Sequence, residues 1–326
     1  MSKYKRALIT GISGQDGSLL AASLIRKGYK VYGTGRDAQV GTFHNLKSLG
    51  IFDEVELHSM VPTDFRSVLQ TLTKVTPDEI YHFAGQSSVG LSFYQPAETL
   101  ESIAMGTLNI LEAIRFVEFP IRLYNAGSSE CFGDTDGLPA NEDTPFRPRS
   151  PYGVAKAAAF WEVANYREAY GLFACSGILF NHESPLRPER FVTRKIVAAA
   201  CRIANGSKEK LHLGNIGICR DWGWAAEYVE AMWKMLQQEV AKDYVIATGE
   251  VNSLENFVQN TFACLGLDWK DHVVSDSSLI RPSEIMIGYG KPERAVRELG
   301  WQARIKMGDV VRNMVKAETE IFRRSN

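Results

Sequence analysis

The chain has 326 residues, with 37 Lys and Arg against 38 Asp and Glu and a formal net charge of −1. This length predicts about two domains, or one large α/β domain with an added lobe. The 45% of hydrophobic residues against 23% of charged ones exclude a mainly disordered chain. The balanced charge argues against proteins that bind nucleic acid or anionic membranes by bulk electrostatics, so neither partner is expected.

The five cysteines are widely spaced, and no two of them form a Cys-x-x-Cys pair. This pattern predicts neither a zinc site nor a disulfide framework, so we expect no metal and a reducing compartment. The N-terminal residues lead directly into a strand-like stretch without the apolar region of a signal peptide. No window approaches the run of about 18 apolar residues that a membrane span needs. These features predict a cytoplasmic protein.

Strand-like and helix-like segments alternate through the first half of the chain. The pattern predicts strands at residues 5–10, 31–33, 55–58, 79–83, 121–126 and 174–180, and helices at 19–27, 97–116 and 152–170. Gly28 is placed to end the first of these helices. Strands that alternate with helices at this spacing indicate the α/β class, with a doubly wound parallel sheet of the Rossmann type.

A smaller C-terminal α/β lobe is predicted after residue 180. Residues 181–191 are rich in Pro, Arg and Glu, which indicates a loop that crosses a cleft. Helices are predicted at 192–205, 225–238, 254–265 and 291–299, with short strands at 211–214 and 244–248. We expect residues 1–180 to hold a dinucleotide and residues 181–326 mainly to hold the substrate. The two parts are expected to interleave, with the strand at 244–248 returning to the main sheet.

A glycine-rich loop follows the first predicted strand. Gly11, Gly14 and Gly17 allow a tight turn, a close approach of the backbone to a pyrophosphate, and close packing of helix on strand. The backbone amides at the start of the following helix can then hold the anion. The spacing Gly-x-x-Gly-x-x-Gly is typical of the short-chain dehydrogenases and favours a dinucleotide site over a plain turn. After the second strand, Arg36 favours NADP because a cation there can bind its phosphate, while Asp37 leaves NAD open.

Four residues predict a catalytic site. Tyr152 and Lys156 share one face of a predicted helix, and a cation beside the phenol, with an oxidised nicotinamide, would stabilise the phenolate. Such a tyrosine can take a proton from a sugar hydroxyl. Ser128 and Glu130 follow the fifth strand, at the end where ligands bind in open α/β sheets. Ser128 can hydrogen-bond the reacting hydroxyl. Glu130 can remove a proton next to a ketone, although a turn-capping or surface carboxylate is an equal alternative.

Several longer stretches, spread over nearly the whole chain, resemble the GDP-mannose 4,6-dehydratases of the extended short-chain dehydrogenase/reductase family. They are TGISGQDG at 10–17, RPRSPYG at 147–153, GILFNHESP at 177–185, FVTRK at 191–195, RDWG at 220–223 and YVEAMW at 228–233. The resemblance implies a hydro-lyase in which NADP stays bound and is recycled, and in which GDP-4-keto-6-deoxy-mannose is the product. It also implies a homodimer or homotetramer whose subunits meet around residues 36–45.

The resemblance assigns a role to each residue of the expected site. The catalytic residues would be Ser128, Glu130, Tyr152 and Lys156. The cofactor would be contacted by Gly11, Ile12, Ser13, Gly14, Gln15, Asp16, Arg36, Phe83, Ala84, Gly85, Gln86, Ser87, Tyr152, Lys156, His182 and Arg187. The GDP-sugar would be held by Ser87, Asn181, Val192, Lys195, Asn215, Arg220, Arg281 and Glu284. The guanidinium groups of Arg220 and Arg281 suit the diphosphate and ribose.

The chain departs from the family pattern at four places. Ser59-Met60-Val61-Pro62 stands where the family has a Gly-Asp pair that contacts adenine, and Arg36-Asp37 stands where it has paired arginines. Glu98 replaces a tyrosine expected near the cofactor, and Ser128 replaces a catalytic threonine while keeping its hydroxyl. The first two departures leave the choice between NADP and NAD open.

Two alternative functions remain open. Gly127-Ser128-Ser129-Glu130 and Arg281-Pro282-Ser283-Glu284 also resemble the GDP-4-keto-6-deoxy-mannose reductases, which use the same Ser, Tyr and Lys with NADPH. The changed adenine loop could instead belong to a sensor that binds these nucleotides without turnover, but a sensor does not need all four catalytic residues. The sequence also leaves open which GDP-hexose or GDP-heptose is the natural substrate and which deoxysugar pathway uses the product.

Overall fold

The computed structural model describes residues 4–325, with side chains for residues 4–323. The strands are β1 Arg6–Thr10, β2 Lys30–Gly35, β3 Val55–Ser59, β4 Glu79–His82, β5 Arg122–Ala126, β6 Phe173–Leu179, β7 Asn181–Glu183, β8 Leu211–Leu213, β9 Cys219–Arg220, β10 Trp222–Trp224, β11 Tyr244–Ile246, β12 Asn252–Ser253, β13 Val273–Ser275 and β14 Ile287–Gly288. The helices are α1 Gln15–Arg26, α2 His44–Ser48, α3 Phe65–Val75, α4 Val89–Ser92, α5 Pro96–Leu100, α6 Gly106–Phe116, α7 Pro151–Tyr170, α8 Val192–Ala204, α9 Ala225–Leu236, α10 Leu254–Ala263, α11 Glu293–Leu299 and α12 Met307–Ser325.

Seven parallel strands form the central sheet, in the order β11-β6-β5-β4-β1-β2-β3. The chain starts in the middle at β1, winds outward through β2 and β3, and then returns to β4 on the other side. This is the doubly wound arrangement of the Rossmann type, and it confirms the predicted fold class. Strand β11 pairs with β6, with Val245 opposite Ile178, and so forms one edge of this sheet.

Helices cover both faces of the sheet. On one face, Leu20 of α1 packs in the same core as Met232 of α9. On the other face, Leu72 of α3, Ile110 of α6 and Val163 of α7 share a second core. Strand β4 is buried along its whole length, because a parallel sheet between two helical layers exposes neither face to water.

The smaller lobe has a core of its own, in which Ile196 of α8, Phe257 of α10 and Val311 of α12 are buried. The sequence pattern places the helices at 225–238 and 291–299 in this lobe, and for both helices this is wrong. The apolar stripe of α9, which includes Met232, packs on the central-sheet core, and so does Leu299 of α11. Hydrophobic periodicity identifies the buried face of a helix but not the layer that covers it.

Other elements also differ from the sequence expectation. The segment predicted as a loop at 181–191 contains β7, which pairs in parallel with β10, with His182 opposite Gly223. Helices α2, α3, α4 and α12 are absent from the prediction. The helix predicted at 97–116 runs through α5, a π-helical turn at Glu101–Met105, and α6. None of the helices within residues 4–325 is long and apolar enough to cross a membrane.

Candidate active site

The loop between β1 and α1 lies against the end of β4. Gly11 has a φ of +68°, and a Cβ atom on it would lie 2.9 Å from the backbone nitrogen of Ala84. A Cβ atom on Gly17 would lie 2.7 Å from the carbonyl oxygen of Gly11. Helix α1 begins after Gly14 without a side-chain cap, so the N–H groups of its first turn can hold an anion. This loop therefore fits the pyrophosphate of a dinucleotide.

The end of β4 is tied to the same loop. The Thr10 hydroxyl at the end of β1 accepts hydrogen bonds from the backbone N–H groups of Phe83 and Ala84, each at 3.1 Å. Gln86 donates from Nε2 to the Ser88 carbonyl at 2.9 Å, and Ser87 accepts a hydrogen bond from Arg190 at 3.4 Å. The structure thus brings segment 83–87 next to the glycine loop.

The carboxylate of Asp37 is held by its own loop. Its Oδ1 accepts hydrogen bonds from the N–H groups of Gln39 at 2.9 Å and Val40 at 3.3 Å. Arg36 is exposed and has no ion-pair partner among residues 4–323. The neighbouring Asp64 caps helix α3 by accepting a hydrogen bond from the N–H of Arg66 at 2.9 Å. Both charged residues after β2 are therefore exposed, with Arg36 unpaired and one oxygen of Asp37 held by its loop.

His182 and Asp16 form an ion pair between β7 and the first turn of α1. His182 Nε2 lies 3.0 Å from Asp16 Oδ2, and its Nδ1 lies 2.7 Å from the Phe180 carbonyl oxygen. A carbonyl and a carboxylate can only accept, so both ring nitrogens of His182 carry protons. Burial works against this charge, but Asp16 raises the pKa of His182 above its ordinary value, and His182 in turn lowers that of Asp16.

Gln15 and Arg187 extend this network. Gln15 donates from Nε2 to the His182 carbonyl at 3.1 Å and accepts a hydrogen bond from the Ser184 hydroxyl at 2.8 Å. Arg187 also donates to the His182 carbonyl, at 2.7 Å, and forms an ion pair with Glu183 at 3.1 Å. Four residues expected at the cofactor are thus joined by hydrogen bonds beside the glycine loop, namely Gln15, Asp16, His182 and Arg187.

Strand β5 and helix α7 position the four residues expected to be catalytic. Ser128 follows β5, and its hydroxyl accepts a hydrogen bond from the N–H of Glu130 at 3.3 Å. The Ser150 hydroxyl caps α7, which places Tyr152 in the first helical turn. The Lys156 ammonium lies 5.9 Å from the centre of the Tyr152 ring.

The electrostatic surroundings of the phenol differ from the sequence expectation. Burial raises the pKa of Tyr152, while the Ser128 hydroxyl and the Arg187 guanidinium act in the opposite direction. The ammonium of Lys156 donates to the Ala126 carbonyl at 2.7 Å, and burial lowers its pKa to about 8. Sequence reasoning also misses the buried thiol of Cys131 near this pair, whose pKa burial raises to about 12. Nothing in the local sequence distinguishes that cysteine from an ordinary core residue.

A small pocket lies beside Glu130. Its walls include Arg220 and Tyr289, together with Phe180 at the end of β6. The Arg220 guanidinium is almost fully buried, which lowers its pKa, while the charge of Glu130 opposes that shift. Arg281 and Glu284 act on the same guanidinium, lowering and raising its pKa respectively. Of the predicted substrate residues, Arg220 thus lines the pocket, and Arg281 and Glu284 lie within electrostatic range of its guanidinium. Tyr289 and Phe180, which also line the pocket, were not predicted.

The other predicted substrate residues do not line this pocket. Lys195 donates from Nζ to the His212 carbonyl at 2.7 Å, and Asn215 accepts a hydrogen bond from the N–H of Gly217 at 2.9 Å. Asn181 lies in β7, and Val192 packs on the core of the smaller lobe. Any contact of these residues with a ligand would be outside the pocket beside Glu130.

The chain matches known proteins over almost its whole length. The family model for GDP-mannose 4,6 dehydratase matches residues 8–314. GDP-mannose 4,6 dehydratase 2 of Arabidopsis thaliana is 46% identical over 98% of this chain and 88% of the relative, and the Drosophila melanogaster GDP-mannose 4,6 dehydratase is 42% identical over 99% and 88%. The solved dTDP-glucose 4,6-dehydratase DesIV of Streptomyces venezuelae has the same fold, with a TM-score of 0.85 at 22% identity over 97% of each chain. The chain therefore belongs to the GDP-mannose 4,6 dehydratase family.

Proposed function

We propose that the protein is a GDP-mannose 4,6-dehydratase, a hydro-lyase that converts GDP-mannose to GDP-4-keto-6-deoxy-mannose and water. The observation that carries this proposal is the position of Glu130, at the pocket and in the electrostatic field of both Tyr152 and Arg220. Water loss needs a group that moves a proton, and we assign this role to Glu130. The reductase alternative is not favoured, because dehydratases are the relatives that match 98% of the chain.

The four catalytic residues divide the proton transfers between them. A bound nicotinamide supplies a reversible hydride acceptor for C4 and donor for C6. Tyr152 takes the proton of the 4-hydroxyl, which Ser128 orients by a hydrogen bond. The resulting ketone acidifies the C5 proton, which Glu130 removes before it protonates the 6-hydroxyl as water leaves. The proton that Tyr152 took from the 4-hydroxyl is then delivered to C5, so the product has lost one water with no net redox change.

The cofactor is a nicotinamide dinucleotide, and we propose that it is NADP. The pyrophosphate would lie on the first turn of α1, held by the backbone between Gly11 and Asp16. The exposed, unpaired guanidinium of Arg36 supports NADP, because a cation after the second strand can bind its phosphate. Residues 1–180 would bind this cofactor, and residues 181–326 would mainly bind the sugar nucleotide. A cytoplasmic location remains a prediction, as does the identity of the natural hexose.

The substitution Arg36→Ala should weaken NADP binding and leave NAD binding nearly unchanged. A charged hydrogen bond to a phosphate contributes about 1.5–3 kcal/mol, so we expect the Kd for NADP to rise about tenfold or more. Isothermal calorimetry with each dinucleotide measures both constants. The matched control is Asp37→Asn, which changes the loop but leaves Arg36 in place and should shift both constants equally. An unchanged Kd for NADP in Arg36→Ala would contradict the proposed selectivity.

We also propose a homodimer or homotetramer. Residues 36–45 remain the predicted contact, and a second surface supports self-association. Helices α4 to α7 expose the apolar side chains of Tyr94, Leu100, Val154 and Trp161, with exposed fractions of 86% for Tyr94 and 62% for Trp161. Apolar side chains that cluster on a surface are typical of a contact with another protein.

Light scattering should give a mass of two or four times 36.4 kDa at micromolar concentration. We expect Trp161→Glu to reduce that mass, because it places a charge in the apolar contact. Val240→Glu changes an exposed valine outside helices α4 to α7 and should leave the mass unchanged. A wild-type monomer at working concentration would contradict the proposed assembly.

A further inference from the structure

Asp221 is a fully buried carboxylate that faces backbone N–H groups instead of a cation. It lies between β9 and β10 and has an exposed fraction of 0%. Its Oδ1 accepts a hydrogen bond from the N–H of Thr248 at 2.9 Å, and its Oδ2 accepts one from Gly249 at 2.9 Å and a longer one from Gly290 at 3.5 Å. Among residues 4–323 it has no ion-pair partner. Burial raises the pKa of this carboxyl, and these backbone donors oppose the shift.

The three donors belong to two separate parts of the fold. Thr248 and Gly249 follow β11, the edge strand of the central sheet, whereas Gly290 follows β14, which pairs with β9. The backbone N–H of Asp221 also donates to the Gly288 carbonyl at 3.1 Å. The two parts meet closely, since a Cβ atom on Gly290 would lie 2.5 Å from Cβ of Ala247. Asp221 therefore joins the sheet edge to the segment 288–290.

Walls of the pocket beside Glu130 lie on one side of this junction, at Arg220 and in the segment 288–289. Arg220 directly precedes Asp221, and its guanidinium donates to the Cys219 carbonyl at 2.9 Å, which leaves its other N–H groups for a ligand. Tyr289 lies between the two glycines that contact Asp221. A shift of this junction would move the Arg220 cation and the Tyr289 ring relative to Glu130. Misplacing such groups by about 1 Å is enough to weaken binding and turnover strongly.

We propose that Asp221 is a positioning residue for sugar-nucleotide binding, which holds Arg220 and Tyr289 at the pocket without touching the ligand. This inference rests on the proposed function, because it takes the pocket to be the site of a nucleoside diphosphate sugar. Asparagine has one acceptor oxygen where aspartate has two, and its amide group would face backbone donors. Asp221→Asn should therefore loosen the junction without changing its shape.

The test compares Asp221→Asn with Asp243→Asn. Asp243 is also a poorly exposed carboxylate, which accepts a hydrogen bond from the N–H of Ser176 at 2.7 Å and pairs with Arg167 at 2.6 Å. It precedes β11, at the end of the sheet opposite the pocket. Both variants should lower the melting temperature. Only Asp221→Asn should raise the KM for GDP-mannose, by about tenfold or more, with a smaller change in kcat and an unchanged Kd for NADP.

A second measurement separates this inference from the proposed reaction. Calorimetry with GDP reports the pocket without turnover, and Asp221→Asn should raise the Kd for GDP while Asp243→Asn should not. Wild-type protein that binds GDP but leaves GDP-mannose unchanged would overturn the proposed function alone. Equal loss of stability in both variants, with KM and the Kd for GDP unchanged, would show a merely structural Asp221 and overturn the inference.

If the Asp221→Asn variant does not fold, the wild-type protein can still be used to test the role of Asp221. Hydrogen exchange at the amides of residues 248, 249 and 290 reports the junction directly. Because linkage is reciprocal, GDP should slow exchange at these amides if the junction holds the pocket in its binding form. Exchange that GDP does not change at any of the three would overturn the inference.

Discussion

Replacing Glu130 with glutamine should reduce turnover of GDP-mannose by about 10²–10⁴-fold, the usual contribution of a positioned acid–base group. Glutamine keeps the size of the side chain and one acceptor oxygen, but it cannot accept the C5 proton. The Kd values for NADP and GDP should stay close to those of the wild type, because the cofactor residues and Arg220 are unchanged. Loss of turnover without loss of binding is therefore the expected pattern.

The same variant should still carry out the first hydride transfer. Tyr152 and Ser128 remain in place, so the 4-hydroxyl can be oxidised while the following water loss is blocked. Absorbance of reduced nicotinamide should then build up on the enzyme after GDP-mannose is added. Glu142→Gln is the matched control, since Glu142 is a buried carboxylate that accepts a hydrogen bond from the N–H of Val245 at 2.9 Å, away from Tyr152. Turnover in Glu130→Gln equal to that of the wild type would remove Glu130 from the mechanism.

Replacing Tyr152 with phenylalanine should also reduce turnover by about 10²–10⁴-fold, but at an earlier step. Phenylalanine keeps the ring that packs against Ile103 and Ala159, so the fold should be retained. Without the phenol no group takes the proton of the 4-hydroxyl, and hydride transfer from C4 should not begin. Reduced nicotinamide should therefore not accumulate after GDP-mannose is added, in contrast to Glu130→Gln.

Stopped-flow absorbance with enzyme in excess distinguishes the two variants. Melting temperature and the Kd for NADP control for damage to the fold or to the cofactor site. If reduced nicotinamide formed in Tyr152→Phe as fast as in the wild type, another group would be the base. Lys156 would then be the first candidate, because burial lowers its pKa to about 8.

The central sheet was predictable because its signals are local. Strand and helix periodicities alternate, and glycines stand at turns such as Gly11 and Gly28. The smaller lobe was harder to predict, because its strands are short and pair with strands that are distant in the sequence. Strand β9 has two residues, and its Arg220 pairs with Gly288 far along the chain. A two-residue strand has no periodicity of its own, and no pattern within one helix says that α9 packs on α1.

The residues of the site were predictable as sequence motifs, but their contacts were not. Each motif follows a strand of the parallel sheet, so the topology alone brings Ser128, Tyr152 and the glycine loop to one edge. The pairing of Asp16 with His182 spans 166 positions of sequence. The direction of the Lys156 side chain, whose ammonium donates to the Ala126 carbonyl, depends on side-chain packing. Asp221 belongs to the RDWG stretch, but only the fold places three backbone donors around it.

Mass spectrometry of GDP-mannose, after incubation with the purified protein and a catalytic amount of NADP, tests the dehydratase reaction most directly. We expect a product lighter by one water, with the NADP recovered in its original oxidised form. Unreacted GDP-mannose, together with stoichiometric consumption of NADPH when the keto-sugar is supplied instead, would contradict this expectation and identify a reductase.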